Sequence, residues 1–218
     1  MIPGPINIIK CPACGQHQLS KSLRSGNTIG ARYFSDGKRV APMLPEYPYF
    51  VKCPFCSIFF KINDKQIVGK NSEFERGYEK PFVKFLTVNE YCQAISEGLY
   101  NGNESDLLSL RISLWRRYND RHDGQREYEF GRERFETDKA TEKEIYEDNC
   151  RKILSMMAEN TDDENLLLCA EVWRNLGNFD KCNSLLKEIK EPEKYRRYIS
   201  TIKAACDTEN TLTVELTS

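Results

Sequence analysis

Two Cys-Pro-x-Cys pairs, Cys11-Pro-Ala-Cys14 and Cys53-Pro-Phe-Cys56, constrain this chain more than anything else in it. Two cysteines separated by two residues in a tight turn can both face one metal ion while the amides of the turn point at the sulfurs. Proline after the first cysteine fixes φ and favours the turn. Gly15 can take the positive φ on which such a knuckle ends, and Ser57 stands at the same place in the second pair.

Four cysteines complete a tetrahedral shell, so the expected ligand set for one structural Zn2+ is Cys11, Cys14, Cys53 and Cys56. Two redox dithiols or an iron site would leave the paired turns unexplained. His17, three residues past Cys14, finds no vacancy. A closed shell has no position for water or substrate, which zinc catalysis requires.

The spacer between the pairs is long enough to hold a hairpin. Ile29 to Phe34 and Lys38 to Ala41 flank Ser35-Asp36-Gly37, a two-residue turn signal, and Ile58 to Ile62 reads as a further strand. Basic and aromatic residues interleave here: Arg32, Tyr33, Phe34, Lys38, Arg39, Tyr47 and Tyr49. Such a mixture can hold a nucleic-acid strand through phosphate contacts and stacking, or meet a protein partner. The plainer reading makes these aromatics the mini-core of a small ribbon.

Charge divides the chain. Residues 1–70 hold ten Lys or Arg against three Asp or Glu, a formal +7, while the remainder carries −8 of the overall −1. The expected layout is a zinc ribbon with a long hairpin insertion over 1–70, an all-α domain over 80–208 and a tail over 209–218.

From Leu86 the apolar spacing turns helical. Segments 86–99, 105–121 and 139–159 carry amphipathic stripes, with Ser105 expected to cap the second. The string from Asn119 to Asp138 is dense in charge and reads as a solvated loop or a frayed helix. At its start Arg116, Arg117, Tyr118, Asn119, Asp120 and His122 gather acid and base, but no facing element is legible and no mechanism follows.

Residues 163–192 place Ala170, Trp173 and Leu176 before Gly177-Asn178-Phe179-Asp180, then Cys182, Leu186 and Ile189 before Pro192. This looks like one tetratricopeptide hairpin, in which small residues let two helices approach and glycine reverses the chain. Glu193 to Asp207 forms a last helix, and the tail TENTLTVELTS is either disordered or one added strand. The five remaining cysteines, Cys92, Cys150, Cys169, Cys182 and Cys206, lie in helical patterns and read as small buried residues, not as a disulfide framework.

The strings CPACG, GNTIGARYFSDGKRVAPMLPEYP, CPFC, LRISLWRRYNDR and AEVWRNLGNFDKC together resemble uncharacterised bacterial zinc-ribbon proteins with a C-terminal tetratricopeptide-like part. The resemblance implies an architecture, α+β with a small antiparallel ribbon before all-α helical hairpins, and carries over no functional residue beyond the four cysteines.

No membrane span or leader is legible, so a cytoplasmic protein is expected. No GxGxxG, P-loop, HExxH or nucleophile elbow is present, and His17 and His122 are the only histidines, which argues against an enzyme and a small-molecule substrate. The function expected is a non-catalytic adaptor binding a protein partner through its helical domain. The alternative is a nucleic-acid binder using the basic aromatic ribbon.

Overall fold

A computed structural model of the chain describes residues 1–71, 80–120 and 139–216. Small antiparallel sheets holding the cysteine cluster precede six helices among the described residues, an α+β architecture. The chain divides into two compact units: Met1–Ala31 with Ala41–Leu110, and Arg32–Val40 with Arg111–Ser218. The spacer hairpin therefore belongs to the unit that holds the later helices, not to the unit that holds the cysteines.

In the first unit β2 (Ile6–Lys10) lies between β3 (His17–Ser20) and β9 (Ile67–Asn71). The short pairs β1 (Ile2–Pro3) with β4 (Leu23–Ser25) and β7 (Phe50–Lys52) with β8 (Phe59–Lys61) are separate two-stranded sheets of the same unit. The Ile58 to Ile62 strand expected from sequence is β8. Ile9, Cys11, Val51, Cys53 and Phe60 form the core, with Ile62, Ile67 and Val83 packed against them. The metal knuckles thus share one apolar cluster with the strands that lead into them.

Helix α1 (Val88–Ser96) begins with a complete capping box between Thr87 and Glu90. Helix α2 runs over Glu104–Asn119, starting two residues earlier than the Ser105 cap implied. Asn103 does the capping instead, its side chain accepting the Asp106 N–H at 3.2 Å. Lys52 pairs with Glu90 at 3.5 Å and Lys61 with Asp106 at 2.8 Å, so charges on β7 and β8 meet the first turns of the two helices.

In the second unit β5 (Arg32–Tyr33) pairs with β6 (Arg39–Val40) around the expected turn. The tail extends this hairpin: Ser35 N–H donates to Val214 O at 2.8 Å and Leu216 N–H to Tyr33 O at 2.8 Å. Over these residues the tail forms an isolated antiparallel bridge between Phe34 and Glu215 and stops short of the added strand expected as one of two outcomes.

Helices α3 (Lys139–Met157), α4 (Asp163–Asn175), α5 (Phe179–Glu188) and α6 (Arg196–Asp207) complete the unit. Leu166, Leu167, Ala170, Cys182, Leu186, Ile189, Ile199, Ile202 and Cys206 join α4, α5 and α6 in one core. The reversal between α4 and α5 uses Gly177 at φ +77. Asn178 N–H donates to Trp173 O and Gly177 N–H to Arg174 O, both at 2.9 Å, the paired bonds of a Schellman stop. Asn178 then caps α5 by accepting the Lys181 N–H at 3.0 Å. One residue closes a helix and opens the next.

Candidate metal centre

The two knuckles have the same backbone construction. Gly15 N–H donates to Cys11 O at 3.1 Å and Ser57 N–H to Cys53 O at 2.8 Å. Cys11 N–H and Cys53 N–H bind Gln16 O and Ile58 O, each at 2.9 Å. Each turn ends on a left-handed residue, Gly15 at φ +72 and Ser57 at φ +60. Serine therefore adopts a conformation that favours glycine, and the second knuckle keeps its shape at some cost in backbone strain.

These turns bring four free thiols together. The Sγ atoms of Cys11, Cys14, Cys53 and Cys56 all lie within 4.8 Å of one another. Cys11 and Cys56 are 3.7 Å apart, as are Cys14 and Cys53. Metal–sulfur bonds of about 2.3 Å at tetrahedral corners place sulfurs about 3.8 Å apart, so the donor set fits an ion such as zinc. A disulfide would need about 2.05 Å, far inside these separations. His17 is not among the grouped side chains.

Burial pushes the Cys11 thiol up, but the amides of Cys14 and Ala13 and the thiols of Cys14 and Cys53 outweigh it and hold it at about 7. Burial also pushes the Cys53 thiol up, and there it prevails. A cation would replace the missing protons as the partner of four thiolates. Among the described residues no fifth donor joins this set, and four sulfurs fill a tetrahedral shell.

The other residues singled out by sequence divide between the two units. Tyr47 and Tyr49 lie in the first unit, where Tyr49 is exposed and Lys61 sits 4.9 Å over its ring. Arg32, Tyr33, Phe34, Lys38 and Arg39 lie in the second. Phe34 is fully buried, Lys38 is 6% exposed, and Arg32 donates to Glu215 at 2.9 Å. Phe34 and Lys38 are therefore out of reach of a ligand on the surface.

Arg116, Asn119 and Asp120 of the segment singled out by sequence meet the spacer hairpin. Asp36 O accepts from Arg116 Nε at 3.1 Å, Asp36 Oδ2 accepts from Asn119 Nδ2 at 3.2 Å, and Lys38 Nζ donates to both oxygens of Asp120 at 2.7 Å. Tyr118 is buried edge-on against Tyr146. Arg117 is partly buried on the same helix, His122 lies outside the described residues, and so does the expected loop beyond Asp120.

Sequence reasoning missed the residues at the centre of this network. Glu171 and Arg174, on α4, are both fully buried and paired, with Arg174 Nε donating to Glu171 Oε2 at 2.8 Å. Ser35 Oγ donates to Glu171 Oε1 at 2.6 Å, Val214 N–H donates to Ser35 Oγ, and Arg174 also reaches Asn210 O. Asn175 accepts from Trp115 Nε1 at 3.0 Å and donates to Thr211 O at 2.8 Å. Burial pushes the Glu171 carboxyl up, opposed by the Arg174 guanidinium and the Ser35 hydroxyl. The one available signal was that Glu171 and Arg174 are three apart among apolar neighbours on α4.

No family model, curated protein or solved structure matches this chain. The candidate centre rests on its own geometry.

Proposed function

We propose that the protein is a non-catalytic, cytoplasmic adaptor in which one zinc ion fixes the ribbon and tetratricopeptide-like helices form the rest of a scaffold for a protein partner. The observation that carries this reading is the closed set of four sulfurs, which fits a structural ion and offers no coordination position to a substrate.

Exposure favours the ribbon as the contact surface over the helices. Phe55 and Ile58, at the tip of the second knuckle, are 52% and 45% exposed, and Met1, Ile2, Ile29, Tyr49 and Val68 of the same unit are exposed as well. Among the described residues of the helical unit the large exposed apolar side chain is Leu212. Apolar side chains held outward by a rigid metal turn lose little freedom when a partner covers them.

Nucleic-acid binding is the second reading, supported by the exposed Tyr49 under Lys61. Its electrostatic support is thinner in the fold. Arg32, Lys38 and Arg39 go with Asp36 to the other unit, and the β-region around the cysteines keeps a formal +5 before four thiolates and a metal ion reduce it to about +3.

Both readings are tested with the purified protein and a Phe55→Asp/Ile58→Asp variant that keeps its metal. A partner recovered with the wild type and lost with the variant supports the adaptor. Fluorescence anisotropy with short DNA and RNA at about 50 and 200 mM salt checks the alternative, since phosphate contacts weaken steeply over that range. Salt-sensitive micromolar binding would replace the adaptor by the nucleic-acid reading.

A further inference from the structure

Cys182 and Cys206 lie apart from the metal centre, on α5 and in the last turn of α6. Their Sγ atoms are 3.4 Å apart, closer than the 3.7 Å contacts between the metal-site thiols. Both belong to the apolar cluster that joins α4, α5 and α6. The gap from this contact to bonding distance is roughly 1.4 Å.

We infer that Cys182 and Cys206 are a modification site, an oxidisable dithiol that closes to a disulfide between α5 and α6 when the protein meets a peroxide. Cys206 is the sulfur the oxidant reaches. It is 5% exposed, and it lines an open cleft of about 660 Å³ together with Asn178, Asp180, Asn183, Asp207 and Glu209. Cys182 is fully buried behind it.

The chemistry balances in two steps. Cys206 Sγ, having lost its proton, attacks one oxygen of hydrogen peroxide; the S–O bond forms, the O–O bond breaks, and the departing hydroxide takes up the proton as water, leaving a sulfenic acid. Cys182 Sγ then attacks the Cys206 sulfur; the S–S bond forms, the S–O bond breaks, and hydroxide leaves with the Cys182 proton as a second water. Two thiols and one peroxide give one disulfide and two waters, the sulfur pair losing the two electrons that the peroxide gains.

The consequence is a covalent tie across 24 residues of sequence separation. Such a tie restricts the unfolded chain and raises stability without a new native contact. Burial holds both thiols up from their ordinary value, so the pair rests protonated and the attack on peroxide runs slowly, through the small fraction of Cys206 present as thiolate.

The test treats the full-length, metal-loaded protein with hydrogen peroxide, alkylates the remaining thiols and maps the tryptic peptides by mass, with metal content followed in parallel. The expected result is a peptide pair joining positions 182 and 206, about 2 Da lighter than its reduced parts and separated by dithiothreitol. The melting temperature of the wild type should rise on oxidation, and that of Cys182→Ala should not. The mass map of the wild type decides by itself if the variant fails to fold. Recovery of Cys182 and Cys206 unlinked, or linked only to Cys11, Cys14, Cys53 or Cys56, overturns the inference.

Discussion

Ser35 donates a 2.6 Å hydrogen bond to Glu171 across 136 residues of sequence, and both side chains are buried. This contact ties the turn of the spacer hairpin to the middle of α4. Glu171 also faces Arg174, so removing the carboxylate strands a buried guanidinium. Glu171→Ala should cost about 3 to 5 kcal/mol of unfolding free energy, as expected for an uncompensated buried charge. Ser35→Ala, which removes the bond to Glu171 and the acceptor of the Val214 N–H, should cost about 1.5 to 3 kcal/mol. Urea denaturation of the two variants checks the order. Equal and small losses would mean that the pair contributes nothing to holding the hairpin.

Cys53→Ser should abolish stoichiometric metal binding and lower the melting temperature, because binding at a four-thiolate site is coupled to folding. Elemental analysis of the purified wild type should return one zinc per chain, and a chelator should reproduce the loss seen in the variant. A variant with full metal content and an unchanged melt would remove the metal centre from the account.

Ser57 holds φ +60 where the first knuckle has Gly15 at φ +72. Ser57→Gly relieves that backbone while loosening the unfolded chain, so the net gain should be at most about 1 kcal/mol, with metal affinity kept. Thermal melts of the metal-loaded proteins measure it. A clear loss of stability would show that the serine side chain is needed.

At Gly177 an added Cβ would meet only Thr211 Cγ2 at 3.9 Å, so space is available and backbone conformation alone opposes substitution. Gly177→Ala should cost about 1 kcal/mol and Gly177→Val about 2 kcal/mol, through the φ of +77. Denaturant titration of both variants would contradict this if valine cost no more than alanine.

Asp163 accepts the amides of Lys190 and Glu191 at 2.9 and 2.8 Å, and these two bonds hold its carboxyl below the usual 3.8. A depressed carboxyl contributes stability above its unfolded value that is lost as pH falls through its folded value. The wild type should therefore lose melting temperature as pH drops below about 4, and Asp163→Asn should show a shallower acid slope over the same range. Parallel slopes would remove Asp163 from the acid response.

The metal centre was legible because its information is local. A Cys-Pro-x-Cys turn sets two ligands within four residues, and two such turns leave few other arrangements for their sulfurs. The helices were legible for a similar reason, since each carries its own apolar period, and Gly177-Asn178 announces its reversal through residue types that only a few backbone conformations suit.

The polar core was not legible, because nothing in the local pattern distinguishes a solvated charge from a paired buried one. Lys38 and Asp120 are 82 residues apart, and each looks like an ordinary surface charge until the other arrives. Sequence by itself determined the four-cysteine cluster, the helical segments and their turns. Tertiary structure decided that the spacer hairpin belongs with the helices, that Phe34 and Lys38 are core, and that Cys182 meets Cys206, because only long-range packing removes water from these groups and makes each depend on a particular partner.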